Sequence, residues 1–168
     1  MTIPVTRASR PLPAILVGGG TAATLDILYA CIRQAGFGRS PEWVLQSVAS
    51  GLLGNAAFDS GPAGAALGLV SHYTILFVAA ALYLLASQRV PVLRARPIIC
   101  GALFGVMVYL FMNFVVLPLS AFPFHLAYPP MRLLEGFASH ALFVGIPIAL
   151  SVRWLAGSSR ESAELIVN

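Results

Sequence analysis

Four long stretches of this 168-residue chain are apolar and carry few charges, over about residues 13–35, 62–87, 97–119 and 132–156. An α-helix rises about 1.5 Å per residue, so roughly 20 apolar residues cross the roughly 30 Å hydrocarbon core of a bilayer. Each stretch has that length. The sequence therefore predicts an all-α protein, a bundle of four transmembrane helices.

Composition indicates that lipid faces much of the surface. Only 10% of the residues are charged, against roughly 25% in soluble proteins, and the mean hydropathy is +0.86. A pI near 9.6 is typical of nucleic-acid binding in a soluble protein, but these arginines stand singly at the ends of apolar runs. We predict the lipid bilayer as partner and no nucleic acid, and leave open a homo-oligomer or a larger membrane complex.

A shorter helix is predicted between the first two spans, over about residues 41–53. Ser40 suits the N-cap, Pro41 the first helical position, and Gly54 with Asn55 a stop. Because this helix is too short to cross a bilayer, it either re-enters the bundle or lies on the membrane surface. We expect one membrane domain over residues 1–168, with a polar tail at 157–168.

Prolines mark two further features of the chain. Pro147 falls inside the fourth span and predicts a kink there. The loop between the third and fourth spans is rich in proline, which predicts a stiff cap on one side of the membrane. Its prolines are Pro118, Pro123, Pro129 and Pro130.

All ten basic residues are arginines, and their distribution predicts an orientation. With the N-terminus inside, seven are cytoplasmic and three are outside, which is the bias expected of membrane proteins. The seven are Arg7, Arg10, Arg89, Arg94, Arg96, Arg153 and Arg160, and the three are Arg33, Arg39 and Arg132. We therefore predict that both termini are cytoplasmic.

Each span carries one polar side chain nearer its outer end, at depths that agree within about one helical turn. These side chains are Asp26, His72, Asn113 and His140, with Glu135 close to His140. Each also shares a helix face with small residues, where helices pack closely in lipid. Because ionisable groups inside a membrane are costly, we predict that these five residues form a ligand-binding or ion-binding cluster in the outer half of the bundle.

The sequence is compatible with three roles for this cluster. The first and leading hypothesis is the handling or transport of protons, ions or a small solute. In the second, His72 and His140 ligate a metal or a b-type haem in an electron-transfer subunit. In the third, the polar groups only fix helix packing in a non-catalytic accessory subunit. The chain has no nucleotide-binding, hydrolase or protease motif, which disfavours an enzyme, and we predict no catalytic residue.

Several short motifs between about residues 64 and 148 follow a recognisable order. The segment Leu69-Val70-Ser71-His72 lies early in the second span and Gly101-Ala102-Leu103 opens the third. The third span closes from Met112 through Pro118-Leu119, a proline-containing outer loop follows, and Glu135 precedes His140. This half of the chain resembles the YagU-like inner-membrane proteins of bacteria. The resemblance implies a multi-pass protein of the bacterial inner (plasma) membrane with a link to acid stress, and it implies no substrate.

Overall fold

The computed structural model describes residues 10–125 and 127–156, and its regular structure over those residues is entirely helical. Four helices are long and apolar enough to cross a membrane, which confirms the predicted all-α bundle and identifies an integral membrane protein. They are span 1 (Pro11–Ala35), span 2 (Gly61–Arg89), span 3 (Pro97–Leu119) and span 4 (Pro130–Leu155). The predicted polar tail lies outside the described residues.

Prolines set where the spans begin. Spans 1, 3 and 4 start at Pro11, Pro97 and Pro130. The first helical position needs no N–H donor, and the fixed φ of proline suits it. Spans 1 and 4 therefore begin two residues earlier than their predicted starts at 13 and 132.

Small residues bring spans 3 and 4 into backbone contact. A Cβ atom built on Gly105 would overlap the carbonyl of His140, and one built on Gly145 would overlap the backbone of Gly101. Close approach of this kind maximises dispersion contacts where no hydrophobic effect drives helices together. Span 4 packs on its other side against span 1, and span 1 in turn packs against span 2.

The short helix Pro41–Leu53 has the predicted bounds and lies against span 2. Ser40 Oγ accepts a hydrogen bond from the Trp43 amide at 3.1 Å, the N-cap contact that the sequence indicates. A Cβ on Gly68 of span 2 would overlap the Leu45 carbonyl, and buried Gln46 donates to the Gly61 carbonyl at 3.1 Å. The helix is therefore part of the bundle and not a detached surface element.

The loop between spans 3 and 4 joins the short helix to form a cap. The Ala121 amide donates to the Gly51 carbonyl at 2.9 Å. The ring of Phe124 lies 6.1 Å from Trp43 and 5.5 Å from Phe58, measured between centroids. We call this side of the bundle the cap end, and the side with Arg89 the core end.

The core end is closely packed. Tyr83, Ile148 and Val152 are almost fully buried there. The Tyr83 hydroxyl donates to the Leu93 carbonyl at 2.8 Å, which holds the connection between spans 2 and 3 onto the core. Arg153 Nη1 donates to the Ala95 carbonyl at 3.1 Å and joins span 4 to the same connection. The two ends of the bundle therefore differ in how tightly they are sealed.

Spans 3 and 4 each contain a π-helical turn, Met112–Val116 and His140–Gly145. A proline follows each turn by two residues, Pro118 in span 3 and Pro147 in span 4. Because proline cannot donate to the carbonyl four residues earlier, the helical register is disturbed before it. The disturbance that Pro147 predicts is therefore a π-helical turn, and this turn begins at His140.

Substituting Gly145 tests the contact between spans 3 and 4. We expect Gly145→Ala to destabilise the protein by about 1–3 kcal/mol, since the added methyl group overpacks a site already in backbone contact. Gly20→Ala in span 1 is the matched control, because the nearest atom to its Cβ is Phe77 Cε1 at 3.8 Å. Thermal unfolding in detergent measures both, and equal melting temperatures for the two variants would contradict the close packing.

Candidate binding cavity

Three of the predicted polar residues meet inside the bundle. Asp26 Oδ2 lies 3.9 Å from His72 Nε2, and Asp26 Oδ1 lies 4.0 Å from His140 Nδ1. One carboxylate of span 1 thus stands between imidazoles of spans 2 and 4. We call Asp26, His72 and His140 the Asp–His cluster.

The cluster lies near the middle of the bundle and is displaced toward the cap end. Asp26 is nine residues from Ala35 and fifteen from Pro11. His72 is eleven residues from the cap end of span 2, and His140 is ten from that of span 4. At about 1.5 Å per residue, all three are roughly 14–17 Å below the cap end.

Hydrogen bonds orient both imidazoles. His72 is buried, and its Nε2 donates to the Ala23 carbonyl at 3.0 Å, which places a proton on that nitrogen. The Ser139 hydroxyl donates to the Gly136 carbonyl at 3.1 Å, so its oxygen is left to accept from His140 Nδ1 at 3.3 Å. Both rings are therefore held beside Asp26 by contacts that do not involve the carboxylate.

The Asp26 carboxylate itself has room for another partner. Its distances to the two imidazoles are too long for direct hydrogen bonds, and no other described residue donates to it. Its side chain is 16% exposed. A water molecule or a polar ligand atom between the groups can bridge separations of this size.

A cavity of about 470 Å³ leads from the cluster to the cap end. Asp26 and His140 line its inner part, which we call the floor. Aromatic residues form much of the wall, and three arginines lie around the mouth. The aromatic residues are Tyr29, Phe37, Trp43 and Tyr109, and the arginines are Arg33, Arg39 and Arg132. The volume lies within the range of about 300–1,000 Å³ typical of small-molecule sites.

Glu135 lines the same cavity above the cluster. Its Oε2 accepts from Arg33 Nη2 at 2.6 Å and from Arg33 Nε at 2.9 Å. This charge-assisted pair joins span 4 to span 1 across the mouth. The structure therefore places Glu135 beside the mouth and not in contact with the Asp–His cluster.

Asn113 lies apart from the other predicted residues. Its side-chain amide donates to the Tyr109 carbonyl at 2.9 Å within span 3, and its own carbonyl accepts from the Tyr128 hydroxyl at 2.6 Å. Burial raises the pKa of Tyr128, which keeps that hydroxyl protonated as a donor. Span 3 packs mainly against span 4, so Asn113 is held away from span 1. The predicted residues therefore converge from spans 1, 2 and 4, and not from span 3.

Several residues of the cavity are not among the predicted site residues. Tyr109 and Ser139 contact the cluster. The arginines of the mouth are used in the sequence analysis only to predict the membrane orientation. The π-helical turn that begins at His140 is also not predicted from the sequence, although Pro147, seven residues later, predicts a kink in the same span. Turns of this kind occur frequently at functional sites.

The donor set gives a haem or metal site no support. No group of three histidine, cysteine, aspartate or glutamate side chains suited to a metal ion occurs within residues 10–125 and 127–156. His72 Nε2 already donates to a carbonyl, and His72 does not line the cavity. Ligation by His72 and His140 stays a prediction.

No family model matches the chain, and no curated protein or solved structure is significantly similar to it. The resemblance to the YagU-like proteins stays a prediction.

Replacing the His72 imidazole with an apolar side chain tests its contacts. His72→Leu loses the bond to Ala23 and one partner of Asp26, and we expect it to unfold several degrees lower than the parent. Hydrogen bonds between membrane helices contribute about 0.6 kcal/mol each on average, and a carboxylate that loses a partner adds to this. His125→Leu is the control, because His125 is exposed in the loop. An equal change in melting temperature in both variants would show that His72 does not make these contacts.

Proposed function

We propose that the protein binds a small solute or ion in the cavity and couples that binding to proton exchange at the Asp–His cluster. The observation that carries the proposal is the position of the cluster. A carboxylate and two imidazoles from three different helices meet at mid-depth, and two of them, Asp26 and His140, form the floor of a cavity large enough for a small molecule. Ionisable groups at such a depth typically mark ion or proton pathways.

Proton exchange suits this arrangement chemically. Histidine is the side chain that ordinarily titrates closest to neutral pH, and two imidazoles here face one carboxylate. Opposite charges about 4 Å apart attract each other in a medium of low dielectric, so the Asp26 carboxylate lies where a charge on either ring would be felt.

The packing favours a binding cavity over an open pore. Toward the core end, Leu76, Val144 and Ile148 are buried in one apolar core. That core extends along span 1 to Ala14, twelve residues from Asp26 or about 18 Å. In this conformation a solute that reaches the cluster leaves through the same mouth. Transport across the membrane would require the core end to open, and the π-helical turn at His140 is where span 4 is least regular.

Proton exchange is tested with the purified protein in liposomes that enclose a pH-sensitive dye. Where the core end opens, as transport requires, we expect an imposed pH gradient to decay faster than in empty liposomes, and Asp26→Asn to abolish the difference because the amide cannot take up a proton. Asp59→Asn is the matched control, since Asp59 is exposed and does not line the cavity. If protein-containing and empty liposomes behave alike, the decisive second measurement is proton uptake by the protein in detergent. Uptake that is unchanged in Asp26→Asn would exclude a role for the cluster.

We further propose that the cap end faces outward from a bacterial inner membrane and that both termini are cytoplasmic. The arginine distribution supports this orientation. The accessory-subunit hypothesis stays a prediction and would require a partner that co-purifies with the chain.

Orientation is tested by labelling single cysteines in intact cells, with Cys31 and Cys100 replaced by serine. Ala127→Cys lies in the exposed loop at the cap end, and Val90→Cys lies in the connection at the core end. We expect a membrane-impermeant maleimide to label Ala127→Cys directly and Val90→Cys only after permeabilisation. The reverse pattern would invert the orientation.

A further inference from the structure

The mouth of the cavity carries an excess of positive charge. Three arginines and one carboxylate line it, and Glu135 is already paired with Arg33. Among residues 10–125 and 127–156, no carboxylate lies within 4.0 Å of Arg39 or Arg132. Two guanidinium groups thus stand at the mouth without a described anionic partner.

Stacking against aromatic rings holds two of the three guanidinium groups at the mouth, those of Arg39 and Arg33. Arg39 Cζ lies 4.4 Å from the centroid of the Trp43 ring, and Arg33 Cζ lies 5.2 Å from that of Phe37. A stacked guanidinium is attracted by the ring face, and its N–H groups still point outward in the plane. Those N–H groups match the geometry of a carboxylate or phosphate.

Below the mouth the wall is largely apolar. The Tyr29 ring lies 5.3 Å from Phe143, and the Tyr109 ring lies 5.4 Å from Phe137, which fixes both rings in the wall. Ligand pockets commonly combine such a wall with a few polar groups that set orientation. The spacing of seven residues from Asp26 to Arg33 places the mouth roughly 10 Å from the floor.

We propose that the ligand of this cavity is a small organic oxyanion with an apolar body. Its carboxylate or phosphate group binds between Arg39 and Arg132, and its apolar body lies along the aromatic wall toward Asp26. This inference rests on the proposed function, because it names the class of solute that the same cavity takes. The oxyanion belongs either to a water-soluble molecule or to the head group of a lipid.

The two tryptophans of the chain allow a direct test. Trp43 lines the cavity, whereas Trp154 lies exposed near the core end, so Trp154→Phe leaves Trp43 as the single reporter. The protein is placed in nanodiscs of phosphatidylcholine and titrated with phenylacetate and with its neutral amide, phenylacetamide. We expect a saturable change in Trp43 emission with phenylacetate and at least tenfold weaker binding of the amide.

The arginines are tested by Arg39→Gln combined with Arg132→Gln. We expect at least a tenfold loss of phenylacetate affinity with little change for phenylacetamide, and partial recovery with Arg39→Lys and Arg132→Lys. Retained amide binding shows that the double variant is folded. Trp43→Phe, which keeps only Trp154, controls for effects of the ligand on the bilayer.

Each outcome decides the inference. Equal affinity for acid and amide would overturn the oxyanion and leave solute binding intact. If neither probe binds, nanodiscs of phosphatidylglycerol replace those of phosphatidylcholine. A change in Trp43 emission that requires Arg39 and Arg132 then assigns the oxyanion to a lipid head group. No response in any arm overturns the inference, while proton exchange that depends on Asp26 is judged separately.

Discussion

A carboxylate in the middle of a membrane span must find partners, and the arrangement of this bundle follows from that requirement. An isolated charge at such a depth costs about 2.5–3.5 kcal/mol on biological insertion scales. Asp26 is placed between His72 and His140, which brings spans 2 and 4 together beside span 1 at one depth. Span 3 supplies no member of the Asp–His cluster, although its Tyr109 contacts the His140 ring, and it packs mainly against span 4.

The same span that supplies His140 also provides the tightest packing. Gly145 lets the backbones of spans 3 and 4 touch, and the π-helical turn begins five residues before it. The π-helical turn lies in mid-span, between the cavity and the tightly packed core end, and the packing below it leaves the cavity with one mouth. The Asp–His cluster lies at the boundary between these regions, and under the proposed function this position couples its protonation to a bound solute.

Much of the fold could be predicted from the sequence because each feature depends on local signals. Apolar runs fix the four spans, and Ser40 with Pro41 fixes the start of the short helix. The depths of Asp26, His72 and His140 could be compared by counting residues. The position of Asn113 could not, because it depends on which spans are neighbours, and hydropathy does not contain that information.

The arrangement of residues at the cavity mouth could not be predicted from the sequence either. Arg33 and Glu135 are 102 residues apart, and only the packing of spans 1 and 4 brings them together. Arg39 and Arg132 are recognisable in the sequence as outer charges, but their convergence on one cavity depends on the tertiary structure. Local chemistry therefore predicts which residues are unusual, and the span order decides which of them act together.

Asp26 lies within 4.0 Å of two of the three histidines in the chain, and this arrangement is the basis of the proposed function. It is tested most directly by nitrogen NMR of the ¹⁵N-histidine-labelled protein as a function of pH. We expect Asp26→Asn to change the titration of His72 and His140 and to leave that of exposed His125 unchanged. Identical titration of all three histidines in the parent protein and the variant would contradict it.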